Sequence, residues 1–301
     1  MKNLLRYVSQ ASILGISLTV GLAGNANALT ITPTNDGTAL TNSILGQGIT
    51  VTPGSIIYTG ADGAAGFFSD AASSIGIEEG IILTSGQASS AVGPNSSDLT
   101  TTENGTAGDS DLNSLLIGSG LSSNDASILE FEFESEGGDL FFDFVFASED
   151  YNEFANSNFI DVLGFFLDGE NIALIPGTTT PVSTNNVNGG NPLGTNAQNA
   201  RFYNNNDTND GGPFFDIEYD GFTNVFTAQA LGLSPGTHTI KLAVADVGDS
   251  RIDSAFFIAA KSFADVKDPV KTPESDSLLS LLAVGLVVSS SVFKCKMGSQ
   301  K

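Results

Sequence analysis

Carboxylates gather at two places in this chain in a pattern that suits a hard cation. The first group is Ser148-Glu149-Asp150-Tyr151-Asn152-Glu153, with Asn158 and Asp161 just beyond; the second runs Asp246-Val-Gly-Asp249-Ser-Arg-Ile-Asp253-Ser254. A calcium ion takes about six to eight oxygens from carboxylates, carbonyls and water. Glu149, Asp150, Asp161, Asp246, Asp249 and Asp253 are the candidate metal ligands, and Gly248 would let backbone carbonyls turn inward. The competing reading is structural: Asp, Asn and Glu are common turn and surface residues, and Arg251 would simply pair with one of them. Neither group has EF-hand spacing.

Catalytic readings find less support. His238 is the single histidine; it follows a Pro235-Gly236 turn and reads as a satisfied surface residue rather than a general base. The chain has no nucleophile elbow, phosphate loop or histidine-based zinc motif. Glu149 paired with Glu153 or Asp246 could run glycoside hydrolysis, yet acidic pairs are abundant here by composition alone. Tyr151, Phe202 and Tyr203 would stack on sugar rings in a calcium-dependent, lectin-like module, or are half-buried strand and loop residues. The expectation is a non-catalytic protein.

The elements that must position these groups are strands. Residues 129–134 (LEFEFE) alternate apolar and acidic side chains, as a strand with one face in a core requires. After Gly137-Gly138-Asp139, residues 140–147 (LFFDFVFA) read as a second, more buried strand, and the two are expected to form a hairpin. Further strands are expected at 81–84, 161–167, 171–175, 222–228, 239–246 and 255–263. Short helices are expected after Asp36, over 39–45, and after Asp109 or Ser110, over 112–117. Residues 88–108 and 183–212 are poor in apolar residues and read as long surface loops. The expected fold class is therefore mainly β: a single antiparallel β-sandwich or jelly-roll-like domain with long loops.

Charge and the chain ends bear on location. The net charge is −23, and five of the eleven basic residues, Lys2, Arg6, Lys294, Lys296 and Lys301, lie in terminal segments free of acid. The intervening chain carries six basic against 34 acidic residues, a field that repels nucleic acid and anionic lipid and favours bound cations. Cys295 is the only cysteine, so no disulfide framework holds the domain. Sequons at Asn95, Asn104 and Asn206 are what chance gives in an Asn-rich chain.

Residues 1–28 have the basic, apolar and small-residue parts of a secretory signal peptide, with cleavage after Ala28. The body then spans 29–264, a linker 265–277, and an anchor or sorting segment 278–301. The apolar run 278–293 would make about 24 Å of helix, workable as a membrane segment with flanking lysines.

Two resemblances follow from these residues. Pro273-Glu274-Ser275, the apolar run and the basic end resemble a PEP-CTERM sorting signal, with Ser275 in place of a second proline and Lys-Cys-Lys in place of an arginine cluster. This implies processing by a membrane-embedded enzyme of exosortase type. The ordered blocks LEFEF, FVFASEDYNEF, IDVLGFFLDGENIALIPGT, HTIKLAVADVGDS and DSAFFIAAKSF resemble the choice-of-anchor L domain, with Asp150 where a second glutamate is usual. That resemblance implies an exported bacterial surface or matrix protein with a β-rich fold and provides no ligand; extracellular polysaccharide or other surface proteins are the partners expected of an adhesive or structural role. The resemblance implies no enzymatic activity.

Overall fold

A computed structural model of the chain describes residues 28–267. Its strands, in chain order, are β1 (Thr30–Pro33), β2 (Ile49–Val51), β3 (Ile57–Thr59), β4 (Ala65–Ser69), β5 (Gly80–Thr84), β6 (Ser123–Ser135), β7 (Leu140–Ser148), β8 (Val162–Leu167), β9 (Glu170–Asn171), β10 (Tyr203–Asn205), β11 (Gly221–Thr223), β12 (Phe226–Ala230), β13 (His238–Val247) and β14 (Ser254–Ala259). The α-helices are short: α1 (Gly37–Ile44), α2 (Ala72–Ile75) and α3 (Ser110–Ser114). Asp36 caps α1 by accepting from the Ala39 amide at 3.0 Å, and Asp109 caps α3 by accepting from the amides of Asp111 and Leu112. Both caps satisfy amides that the first helical turn leaves free.

The strands form two antiparallel sheets and no closed barrel. The first runs β1-β4-β5-β14-β7-β11-β10, with β12 also on β7; the second runs β2-β6-β13-β8-β9, with β3 also on β6. Alternation along each strand decides what lies between the sheets. Phe142, Phe144 and Phe146 of β7 and Phe256 of β14 meet Phe131 and Phe133 of β6, Phe165 of β8 and Leu242 and Val244 of β13 in one core. Phe165 crosses the gap, its ring 4.9 Å from Phe144 and 5.2 Å from Phe256, edge to face. Burying one such side chain contributes about 2–3 kcal/mol. Both outer faces are also partly covered, by Ile75, Ile77 and Tyr219 on the first sheet and by Leu112 and Leu116 on the second. That double burial is why β7, β8 and β14 are nearly continuous apolar runs.

The mainly β, antiparallel character with few helices agrees with the sequence pattern, but several elements differ. The expected hairpin of 129–134 with 140–147 is absent: β6 and β7 belong to different sheets, and the Gly137-Gly138 turn carries the chain from one to the other. Both strands point phenylalanines into the same core, a pattern that a hairpin and an arch between sheets share. The expected strand 222–228 is two, β11 and β12, both on β7 and broken at Asn224-Val225. The strand expected over 255–263 ends at Ala259; Lys261 adopts φ 60° and Phe263 folds back onto Phe131 and Phe142. Of 171–175 only Asn171 is in a strand. The expected signal segment short of Ala28, the Pro273-Glu274-Ser275 motif and the apolar run 278–293 lie outside the described residues. Among the described residues no helix is long and apolar enough to cross a membrane.

Candidate metal centre

One end of the two sheets is where the core turns from apolar to acidic. Along β13, Ile240, Leu242 and Val244 face the shared core while Ala243, Ala245 and Val247 face outward, so Asp246 occupies the next inward position. A register shift between Val244 and Asp246 in the pairing with β6 marks a bulge there, a device that re-aims side chains at strand ends. The same alternation places Asp161 inward, one residue before β8, whose Val162 pairs with Ala245. Ser148 and Ser254 pair directly across β7 and β14, so Glu149 leaves the sheet beside Asp253.

Five of the six residues expected from sequence lie at this end as electrostatic neighbours, although no three of them bring an oxygen each within 4.8 Å of the others. Glu149, Asp150, Asp161, Asp246 and Asp253 are each no more than 2 % exposed. Asp161 is the best satisfied: its Oδ1 accepts from the Val247 amide at 3.0 Å and its Oδ2 from the Ser254 hydroxyl at 2.7 Å. Asp253 accepts from the Thr102 amide at 3.0 Å through Oδ1, while Oδ2 has no donor. Glu149 Oε2, Asp150 Oδ2 and both carboxylate oxygens of Asp246 likewise have none. Asp249 stands apart: half-buried, it accepts from the Arg251 amide at 3.1 Å and contributes only its charge.

Buried polar groups are nearly always paired, and buried charge is costly without an opposite charge or several donors. Here the carboxyls titrate high for two reasons. Burial is the larger cause for Asp246 and Asp150, followed by the negative charge of Asp161; Asp161 is itself raised mainly by burial. Glu149 is pushed up by burial and then by the charge of Asp220, while burial raises Asp253 to about 7. Among the described residues no ion pair relieves this. Lys241 pairs with Asp109, Asp111 and, at 3.8 Å, Glu130, Arg251 pairs with Glu103, and His238 with Asp168. The structural reading expected Arg251 to form an ion pair with one of these carboxylates; it pairs with Glu103 instead.

Surrounding residues are shaped to this end. A Cβ on Gly86 would lie 1.6 Å from Asp253 Oδ2, so only glycine allows the chain to pass this carboxylate. Stretches 88–108 and 183–212 do not behave as plain surface loops. The first supplies the Thr102 amide and Asn95; the second folds in through Val187, Asn188, Asn206 and Asp207, all buried. Two carboxylates missed by sequence reasoning extend the group. Glu218 accepts from Ser96 and Thr100, and Asp220 accepts from Asn95 at 2.6 Å. They sit before β11 in Asp216-Ile217-Glu218-Tyr219-Asp220, where acidic and apolar residues alternate, and only their proximity in the fold ties them to the group.

The aromatic sugar-stacking set and the Glu149–Glu153 pair considered from sequence are not assembled here. Tyr151 is fully buried, its hydroxyl donating to the Val187 carbonyl at 2.7 Å and its ring packed 4.9 Å from Tyr203, so it offers no face to a sugar. Phe202 packs edge to face on Phe226. Glu153 is exposed, and its closest acidic influences are Asp207, Asp98 and Asp210 rather than Glu149. His238 is buried rather than superficial; Nδ1 bonds Asp168 at 2.6 Å and Nε2 the Ser234 carbonyl at 2.8 Å. The sequon side chains of Asn95 and Asn206 are buried with their amides engaged.

The family model of the choice-of-anchor L domain matches residues 30–264. Neither a curated protein nor a solved structure matches the chain. The matched span covers every described strand and both acidic groups. The chain therefore belongs to the choice-of-anchor L domain family, and with that membership it is an exported, surface-associated protein.

Proposed function

We propose that this protein is a non-catalytic adhesive or structural module of the cell surface or extracellular matrix, and that calcium bound between the ends of its two sheets holds it together. The observation that carries the calcium is Asp246. It is wholly buried, the Ser85 hydroxyl is the one donor near it and makes no well-formed hydrogen bond to either carboxylate oxygen, and Asp150 and Asp161 are its acidic neighbours. A hard divalent cation supplies the missing positive charge and accepts all-oxygen ligation. In a cysteine-free domain that ion also couples binding to folding.

In this reading the acidic body faces outward to extracellular polysaccharide or to other surface proteins. The segment 278–301 attaches it to the membrane until an exosortase-type enzyme acts on the Pro273-Glu274-Ser275 region. Beads coated with the full chain and mixed with extracellular polysaccharide from the producing cells test it. Retention in calcium and release by a chelator are expected. Retention indifferent to the chelator contradicts the calcium dependence, and no retention in either condition contradicts adhesion.

A further inference from the structure

A second triad lies beyond the row just described, on different elements. Asp207 follows β10 and Asp220 precedes β11; the two strands pair with Asn205 opposite Gly221, and the Asn206 amide donates to the Asp220 carbonyl at 2.8 Å. This register brings the two carboxylates to the same end of the strand pair. Asp98 arrives from the stretch after Asn95, and one oxygen from each of the three lies within 4.8 Å of the others. Two oxygens about 2.4 Å from one calcium ion stand at most about 4.8 Å apart, so the triad admits calcium.

Each carboxylate is held in place by neutral donors. Asp220 Oδ1 accepts from the Asn95 amide at 2.6 Å, and Asp207 Oδ1 from the Asn209 amide at 2.7 Å. Asp98 accepts from the Thr208 hydroxyl and the Asn209 side chain. Asp207 and Asp220 are both 0 % exposed, and the second oxygen of each, Oδ2, has no partner. Asp98 is only half-buried and forms the rim. Glu153 and Asp210 add negative charge nearby. None of the ion pairs among the described residues reaches the triad.

We infer that Asp98, Asp207 and Asp220 form a second calcium site, open to solvent at Asp98, which fastens the stretch after Asn95 to the β10–β11 pair. It is a separate ion position from the row around Asp246, although Asp220 also stands beside Glu149 at the near end of that row. The site exchanges its ion through the rim, and water completes the coordination.

Calcium bound to the full chain is counted by equilibrium dialysis for the wild type and for D98N, D207N and D246N. D98N and D207N each lose one equivalent, or bind it at least tenfold more weakly, while D246N retains that ion. Because Asp98 is at the rim, D98N keeps the far-ultraviolet circular dichroism of the wild type even if D207N does not fold. Unchanged stoichiometry and affinity in folded D98N overturn the site. Loss of the same ion in D98N and D246N overturns its independence. An effect of D246N alone supports the interior row and rejects this triad.

Discussion

The Ser254 hydroxyl donates to Asp161 Oδ2 at 2.7 Å, and this bond joins the two sheets. Asp161 leads into β8 of one, and Ser254 begins β14 of the other. The acidic row is thus built across the seam between the layers, where any ion would pull directly on the packing of one sheet against the other.

Asp246→Asn gives opposite effects with and without calcium. In chelator it relieves repulsion with Asp161 and stabilises the fold. In calcium it removes a ligand, and the stabilisation by the ion shrinks. Urea unfolding in both conditions reads the pair of signs, and destabilisation in chelator contradicts the picture of crowded like charges.

The chelated protein loses stability as pH rises. Asp253 and Asp220 have folded pKa values raised to about 7 and about 9 from an ordinary value of 3.8. Their protonated forms favour the fold, fully so below about pH 4, and that contribution is lost as pH climbs through 7 toward 9. Saturating calcium favours the ionised carboxylates and flattens the decline. Thermal melts at several pH values, with calcium or chelator, check the slope.

Gly86→Ala is expected to weaken both the fold and ion binding. Its Cβ meets Asp253 Oδ2 at 1.6 Å, and displacement of a packed group costs about 1–3 kcal/mol. Urea unfolding and calcium titration of this variant should move together. An unchanged unfolding midpoint would show that the carboxylate shifts freely.

Phe165→Ala separates the core from the row. Loss of a wholly buried ring between Phe144 and Phe256 costs about 3–5 kcal/mol. Asp161 sits four residues away at the strand start, so calcium stoichiometry should persist wherever the variant is folded, as dialysis would show.

Much of this arrangement is legible in the residues. The LEFEFE alternation gives β6, Asp36 and Asp109 announce their helices, and acids at strand ends mark Glu149, Asp161, Asp246 and Asp253. The pairing of β6 with β13 instead of β7 is not, because inward phenylalanines satisfy either topology. Asp98 and Asp207 escape notice for a different reason: asparagine side chains replace backbone ladders around them. Asn206 donates to the carbonyls of Ile217 and Tyr219 and accepts from the amides of Phe214 and Phe215. A stretch ordered by such bonds has no hydrophobic period to read.

The most direct test is the melting temperature of the full chain in excess calcium against excess chelator. An ion at about one hundred times its dissociation constant adds about 2.7 kcal/mol, which for a domain of this size raises the melting temperature by about 5–10 °C. That rise, reduced in D246N, is the predicted result. Superimposable melts in calcium and chelator would contradict the account.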